Sequence, residues 1–374
     1  MKSNLSNICD YVKGRIDVSE LDYRTYISTE NMLPNKGGIT DASSLPTTIQ
    51  TQAFMTGDVL VSNIRPYFKK IWFADFDGGC SNDVLVFRAK EGVNKRFLYY
   101  VLADDTFFDY SMATSKGTKM PRGDKTSIMQ YEVPNFSFEN QEKIAGMLEA
   151  LDKKIQLNNK INNNLFEQAK SIFKDRFIDL SPFYGKLPKD WKWGTVSEVI
   201  ELHDSKRIPL SNRERAELDK IYPYYGATSI MDYVDKYLFD GIYLLLGEDG
   251  TVIDAKGFPI LQYVEGKFWV NNHAHILTGK NDFTVELLYL LFSLTNVASI
   301  VTGAVQPKIS QGNLNSISII IPSKEELAKM NGIIQPIFSQ IRTLRSENVI
   351  LASIRDSLLP KLMSGELDTS NIEL

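Results

Sequence analysis

One helical pattern occurs twice in this chain, 186 positions apart, from Gln141 to Phe177 and again from Leu327 to Met363. In the first copy, Ile144, Leu148, Leu151, Ile155, Leu165, Ala169 and Ile172 follow the three- and four-residue steps of a coiled-coil seam. Met330, Ile334, Ile337, Ile341, Leu344, Leu351, Leu358 and Leu362 repeat it in the second. The same shift superimposes Lys143 on Lys329, Gly146 on Gly332 and, inside the seam, Asn162 on Asn348. A shared polar break points to duplication rather than to amphipathicity alone. Each copy covers about 37 residues, so a continuous helix is about 55 Å long at about 1.5 Å per residue, a length that suits a spacer. The plain alternative is two long helices in an ordinary bundle.

At 374 residues the chain exceeds what a single core usually serves, and two domains are expected. Its 43% hydrophobic and 24% charged residues are ordinary for a globular protein in water. The longest apolar run, Leu287 to Val301, is interrupted by Ser293, Thr295, Asn296 and Ser299 and falls short of a membrane span. The opening MKSNLSNICDYVKGR lacks the apolar core of a secretory signal. Cys9 and Cys80 offer neither metal spacing nor a disulfide framework. These observations predict a cytoplasmic protein with no membrane partner. A net charge of −4 weighs mildly against nucleic acid, yet a local basic strip on an acidic protein still neutralises phosphates.

Short strand-type runs fill the first 137 residues: Asp58 to Asn63, Lys70 to Ala74 and Val84 to Arg88, separated by turn clusters. A helical segment, Lys95 to Tyr110, precedes the basic loop Ser115 to Arg122 and a strand-like Tyr131 to Pro134. After the first long helix, Pro182, Gly185 and Pro188 mark a linker. Residues 192 to 322 then replay the series, with strands at Tyr243 to Leu246, Ile260 to Tyr263 and Ala274 to Leu277, and a helix at Val285 to Leu294. The loop Thr302 to Lys308 and the strand-like Ile317 to Pro322 complete it. Gly117, Pro121 and Arg122 fall on Gly303, Pro307 and Lys308 at the same 186-residue shift.

This order of parts resembles a specificity subunit of a type I restriction-modification system. So do Leu187-Pro188-Lys189-Asp190-Trp191, which opens the second half, and the closing stretch from Arg355-Asp356-Ser357-Leu358-Leu359-Pro360 to Gly365-Glu366-Leu367. Gly247-Glu248-Asp249-Gly250, after Pro223-Tyr224-Tyr225-Gly226, is similar to one class of target recognition domain in that family. Gly57-Asp58-Val59-Leu60 and Tyr26-Ile27-Ser28-Thr29-Glu30-Asn31-Met32 look like corresponding parts of the first domain.

The resemblance implies an α+β fold: two similar globular α/β target recognition domains separated by two long helices packed as an antiparallel coiled coil. The expected divisions are recognition domain 1 at 1–137, spacer helix 1 at 138–178 and a linker at 179–191. Recognition domain 2 follows at 192–322, spacer helix 2 at 323–365 and a tail at 366–374. It further implies that each domain reads half of a split, asymmetric site on double-stranded DNA, with helix length setting the unread gap. The implied partners are two modification subunits, which bind S-adenosylmethionine and methylate adenine, and restriction subunits that use ATP with Mg. No cofactor is expected on this chain, and no catalysis.

The residues agree in part. There is neither an Asn-Pro-Pro-Tyr or Asp-Pro-Pro-Tyr methyltransferase motif nor a GxxxxGK[ST] phosphate loop. His273 and His275 would share one face of a strand but make an incomplete metal site, so no metal is expected. Asp254, Glu265 and Lys267 stand in the order of a metal-dependent nuclease, a pattern that chance also produces. A coiled-coil scaffold for protein partners is the other alternative.

Phosphates call for Lys and Arg, and base edges for Arg, Asn, Gln and Ser. By that chemistry the candidate DNA contacts in the first domain are Ser62, Asn63, Arg65, Lys69, Lys70, Lys116, Thr118, Lys119 and Arg122. In the second they are Glu248, Asp249, Thr251, Asn271, Asn272, His273, Gln306 and Lys308. Each has the alternative of a solvated loop residue; the two loops that keep a basic residue beside proline are the strongest. In the seam, Asn162 is expected to fix helix register, so that Asn162→Leu folds with register perturbed.

Overall fold

The computed structural model describes residues 2–303 and 305–367 and forms two compact units. Unit 1 runs to Leu157 and resumes at Glu347; unit 2 is Asn158–Ser346. The expected tail, 366–374, lies outside the described residues from Asp368 onward. Both long helices, Phe138–Phe173 and Lys324–Ser364, are therefore shared, half of each packing on each unit.

Unit 1 holds β1 (Lys2–Asn4), β2 (Cys9–Tyr11), β3 (Arg15–Asp17), β4 (Tyr26–Ile27) and β5 (Gln50–Phe54). It continues with β6 (Val59–Ser62), β7 (Ile71–Phe73), β8 (Gly78–Cys80), β9 (Val84–Ala89) and β10 (Glu132–Pro134). β1 pairs with β10, and two four-stranded sheets run β2-β9-β6-β7 and β3-β5-β8-β4. β6 is buried at all four positions because its alternating side chains enter two cores. Val59 and Val61 join Phe87, Phe97, Leu98 and Leu148 on one face, while Leu60 joins Val84 and Val86 on the other.

The helical segment expected from Lys95 to Tyr110 is two helices, Lys95–Ala103 and Asp105–Ala113. Asp104 breaks it: its backbone is extended (φ −64°, ψ 137°) and its carboxylate accepts the Thr106 N–H at 2.8 Å, an N-cap in mid-pattern. Ile144, Ala145 and Leu148 of the first long helix share the unit 1 core with Leu359 and Leu362 of the second. Asp152 meets Arg355 at 2.8 Å and Lys154 meets Glu347 at 3.4 Å, so the two helix halves in unit 1 run antiparallel.

Unit 2 contains β11 (Lys192–Thr195), β12 (Ile200–Leu202), β13 (Tyr222–Tyr225) and β14 (Ile230–Val234). β15 (Phe239–Gly247), β16 (Leu261–Val270), β17 (Ala274–Gly279) and β18 (Ser318–Ile321) follow. One six-stranded sheet runs β12-β17-β15-β16-β13-β14, and β11 pairs with β18. The logic of β6 recurs in β15: Leu244 and Leu246 enter one core with Leu277 and Phe338, and Leu245 enters another with Ile276. β16 is continuous where unit 1 breaks into β7 and β8, so unit 2 keeps one large sheet and unit 1 has two small ones. The helix Val285–Leu294 matches the sequence reading.

Ala169 and Phe173 of the first long helix pack in unit 2 with Leu327, Met330, Ile334, Phe338 and Ile341 of the second. Of the expected seam, Ile144, Leu148, Met330, Ile334, Ile341 and Leu344 are buried. Leu151, Ile155, Leu165, Ile337, Asn348 and Leu351 are half-buried. Phe173, Phe338 and Leu359 are buried although the seam omitted them, because a helix that also lies on a globule buries a wider stripe than a two-helix seam. Asn162 is buried, as is Asn158 one turn before it.

Candidate nucleic-acid interface

In unit 2, the chain leaving β15 meets the turn before β17 and the loop Thr302 to Lys308. Glu248 N–H donates to His273 O at 2.8 Å, Gly250 N–H to Pro307 O at 2.9 Å and Ile309 N–H to Glu248 O at 2.8 Å. Thr302 and Lys308 close the loop with reciprocal backbone bonds of 2.9 and 2.7 Å. Unit 1 builds the same frame after β6. Asn63 N–H donates to Asp83 O at 2.8 Å, Arg65 N–H to Pro121 O at 2.8 Å and Gly123 N–H to Asn63 O at 3.2 Å, and Lys116 and Arg122 close the loop at 2.9 and 3.0 Å. Arg65 takes the left-handed conformation (φ 50°) that Gly250 (φ 85°) adopts without cost in unit 2. Such strain in a non-glycine residue is held only where its surroundings over-determine it.

The frame in unit 2 is fixed from beneath by a buried polar network. Asp204 accepts from Ile276 N–H at 2.9 Å and Gln311 Nε2 at 2.6 Å, and faces His275 Nδ1 at 2.6 Å; His275 Nε2 lies 2.7 Å from Ile309 O. Arg207 Nη1 donates to Glu248 at 2.5 Å and to Ala274 O at 2.7 Å, and Lys308 Nζ reaches the other Glu248 oxygen at 3.2 Å. Burial pushes the Asp204 carboxyl up, but the bonds from His275, Ile276 and Gln311 outweigh it and hold it below the ordinary carboxylate range. Glu248 behaves alike: burial raises it, and Arg207, His275 and Lys308 more than reverse the effect. Asp204, Glu248 and His275 bring ligand-type atoms within 4.8 Å of one another, a donor set that suits a cation. Those atoms are engaged by Gln311, Arg207 and the Ile309 carbonyl, so the chain's own groups supply the hydrogen bonds and positive charge.

The structure brings Glu248, Asp249, His273 and Lys308 together, with Thr251, Asn272 and Gln306 exposed nearby in the chain. Asn271 is buried, its side-chain Oδ1 accepting His273 N–H at 2.8 Å. In unit 1, Arg65, Lys116, Thr118, Lys119 and Arg122 are exposed; Lys116 pairs with Asp124 at 2.5 Å and Arg122 with Asp83 at 3.1 Å. Four candidates are drawn inward instead. Ser62 and Asn63 are buried, Lys69 is paired to Asp105 at 2.8 Å, and Lys70 donates to Thr29 O at 2.6 Å. His273 and His275 do not share a strand face, because His273 sits in the turn before β17 and only His275 lies on it. Arg207, Asp204 and Asp83 escaped the sequence reading; they lie far along the chain from the residues they hold. The nuclease-like trio is dispersed among separate partners: Asp254 caps a turn through Lys256 and Phe258 N–H, Glu265 faces Arg342 at 3.7 Å and Lys267 lies 4.7 Å from the Tyr237 ring.

The family model described as type I restriction modification DNA specificity domain matches twice, over residues 1–167 and 188–354. The chain belongs to this family. Among its specificity-subunit relatives, that of the type I restriction enzyme MjaIX of Methanocaldococcus jannaschii is 27% identical over 307 residues, covering 74% of this chain and 70% of that protein. The HindI specificity subunit of Haemophilus influenzae is 21% identical, covering 97% of this chain and 98% of its own. The crystal structure of a type I system S subunit from M. genitalium shares the fold, with a TM-score of 0.54 at 18% identity over 97% of this chain and 96% of that one. Among the described residues, no helix of this family member is long and apolar enough to cross a membrane.

Proposed function

We propose that the chain is the DNA-reading specificity subunit of a type I restriction-modification complex, units 1 and 2 each reading half of a split, asymmetric site and the long helices setting the gap. The doubled frame carries this reading. Two modules hold a cation-bearing loop, ending in Arg122 or Lys308, by the same set of backbone bonds, and they differ in the side chains displayed on it. Phosphate contacts position such a protein and base-edge contacts give it specificity, so a common frame with different side chains suits two different half-sites.

Two modification subunits, carrying S-adenosylmethionine, and restriction subunits using ATP with Mg are the partners in this reading. The chain itself does no chemistry, binds no cofactor and works in the cytoplasm. A protein scaffold is the second reading, favoured by Val349 and Ile350, which stand 71% and 60% exposed on the second long helix. Co-expression with an adenine methyltransferase subunit, followed by mapping of methylated adenines with and without this chain, tests the proposal. Methylation at one split motif only when the chain is present supports it. An active, bound partner whose methylation does not change transfers the weight to the scaffold.

A further inference from the structure

Resting on that DNA-reading role, we infer that His273, steered by Asp249, is a specificity-determining residue that reads a base bearing an exocyclic amino group, adenine or cytosine, in the half-site of unit 2. His273 Nδ1 is bonded to the Asp249 carboxylate. A carboxylate offers only acceptors, so a ring proton sits on Nδ1, and in that tautomer the outward-facing Nε2 is the acceptor the ring presents. Nε2 has no partner among the described residues, and the side chain is 43% exposed while that of Asp249 is 17% exposed. The ring is thus held from behind and open in front.

Its backbone is equally fixed. His273 N–H donates to Asn271 Oδ1, its carbonyl accepts from Glu248, and Arg207 grips the Ala274 carbonyl beside it. Lys308, bridged to Asp249 through the backbone, holds its ammonium 3.2 Å from Glu248 and is the frame's exposed cation for a phosphate. In the major groove the amino donors are adenine N6 and cytosine N4, the partners of an acceptor-only reader. Unit 1 reverses the arrangement. Asp83, whose carbonyl is bonded as that of His273 is, provides the carboxylate, and Arg122 is the exposed group that it steers. An acceptor in one unit and a donor in the other give the two halves different bases.

The test maps methylated motifs directed by the full chain with its modification subunits, comparing wild type, His273→Ala, His273→Gln and Asp249→Asn, each checked for folding by thermal melting. The inference expects His273→Ala and Asp249→Asn to relax the same single base pair, an adenine or cytosine in the half-site of unit 2, by roughly tenfold, with the other half unchanged. His273→Gln, which keeps an acceptor, retains part of the preference. An unchanged motif, or a uniform fall at every position in folded variants, overturns the inference and leaves the DNA-reading role standing. A wild-type chain that directs no motif overturns that role itself.

Discussion

Arg355 Nη1 lies 2.8 Å from Asp152 Oδ1, and Tyr100 donates its hydroxyl to the other oxygen of the same carboxylate at 2.7 Å. One acid thereby joins the second long helix, the first long helix and the helix Lys95–Ala103 within unit 1. Burial alone would lower the Arg355 pKa, but its bonds to Asp152 raise it, so the cation persists at every working pH. Asp152→Ala leaves Arg355 with the more exposed Asp356, 2.8 Å from its Nη2, takes the acceptor from the Tyr100 hydroxyl, and should cost about 2 kcal/mol. Urea denaturation midpoints check this, and the double variant Asp152→Leu with Arg355→Met should recover most of the loss.

The Asp204 and Glu248 carboxyls are both held below their ordinary pKa, and the direction of the pH effect follows. A carboxyl depressed by folding stabilises the native state above its unfolded pKa, near 4, and loses that contribution as pH falls through the lower folded value. The contribution of these two carboxyls to the stability of unit 2 should therefore be flat from neutral down to about pH 5 and fall steeply below about pH 4. Asp204→Asn should flatten the acid limb while lowering stability at pH 7. Urea midpoints measured from pH 7 to pH 3 on both proteins distinguish these slopes.

Asn162 is 8% exposed, and its buried side-chain oxygen has no hydrogen-bond partner among the described residues. A buried acceptor left unsatisfied costs about 1–3 kcal/mol, whereas leucine has similar size and no such demand. Asn162→Leu should accordingly raise stability by about that amount. A denaturation midpoint shows the gain, and a crystal structure of the variant shows whether helix register shifts with it. A variant less stable than wild type would mean that the amide is paired in solution.

What could be read in advance follows from the range of the forces involved. The long helices and the inner strands were legible because their burial is written locally, in three-and-four or two-residue periods, as at Leu148 and Ile334 or at Leu244 and Leu246. The break at Asp104 was not, since an N-cap inside an apolar run has no period of its own. Lys69 and Lys70 looked like phosphate contacts because sequence gives charge without address; Asp105 and the Thr29 carbonyl, which occupy them, come from other elements. The loop cations Arg122 and Lys308 were found through repetition, but their steering and anchoring acids, Asp83 and Glu248, become neighbours only when the frame closes.

Arg122 and Lys308 occupy equivalent places on the two frames yet should fail differently. The guanidinium of Arg122, set by Asp83 at 3.1 Å, has the planar fork that binds guanine O6 and N7 together. The Lys308 ammonium is a point charge beside Glu248 and suits a phosphate. Arg122→Ala should relax one guanine position in the half-site of unit 1 by roughly tenfold, corresponding to about 1.4 kcal/mol within the range for a bidentate base contact. Lys308→Ala should weaken binding evenly across sequences and reduce the salt slope by about 1. Binding of the assembled complex to a library of split sites at several salt concentrations separates the two. If both variants gave the same uniform loss, Arg122 would be a second phosphate anchor and the base readout of unit 1 would lie elsewhere on its frame, with the exposed Arg65 the next residue to test.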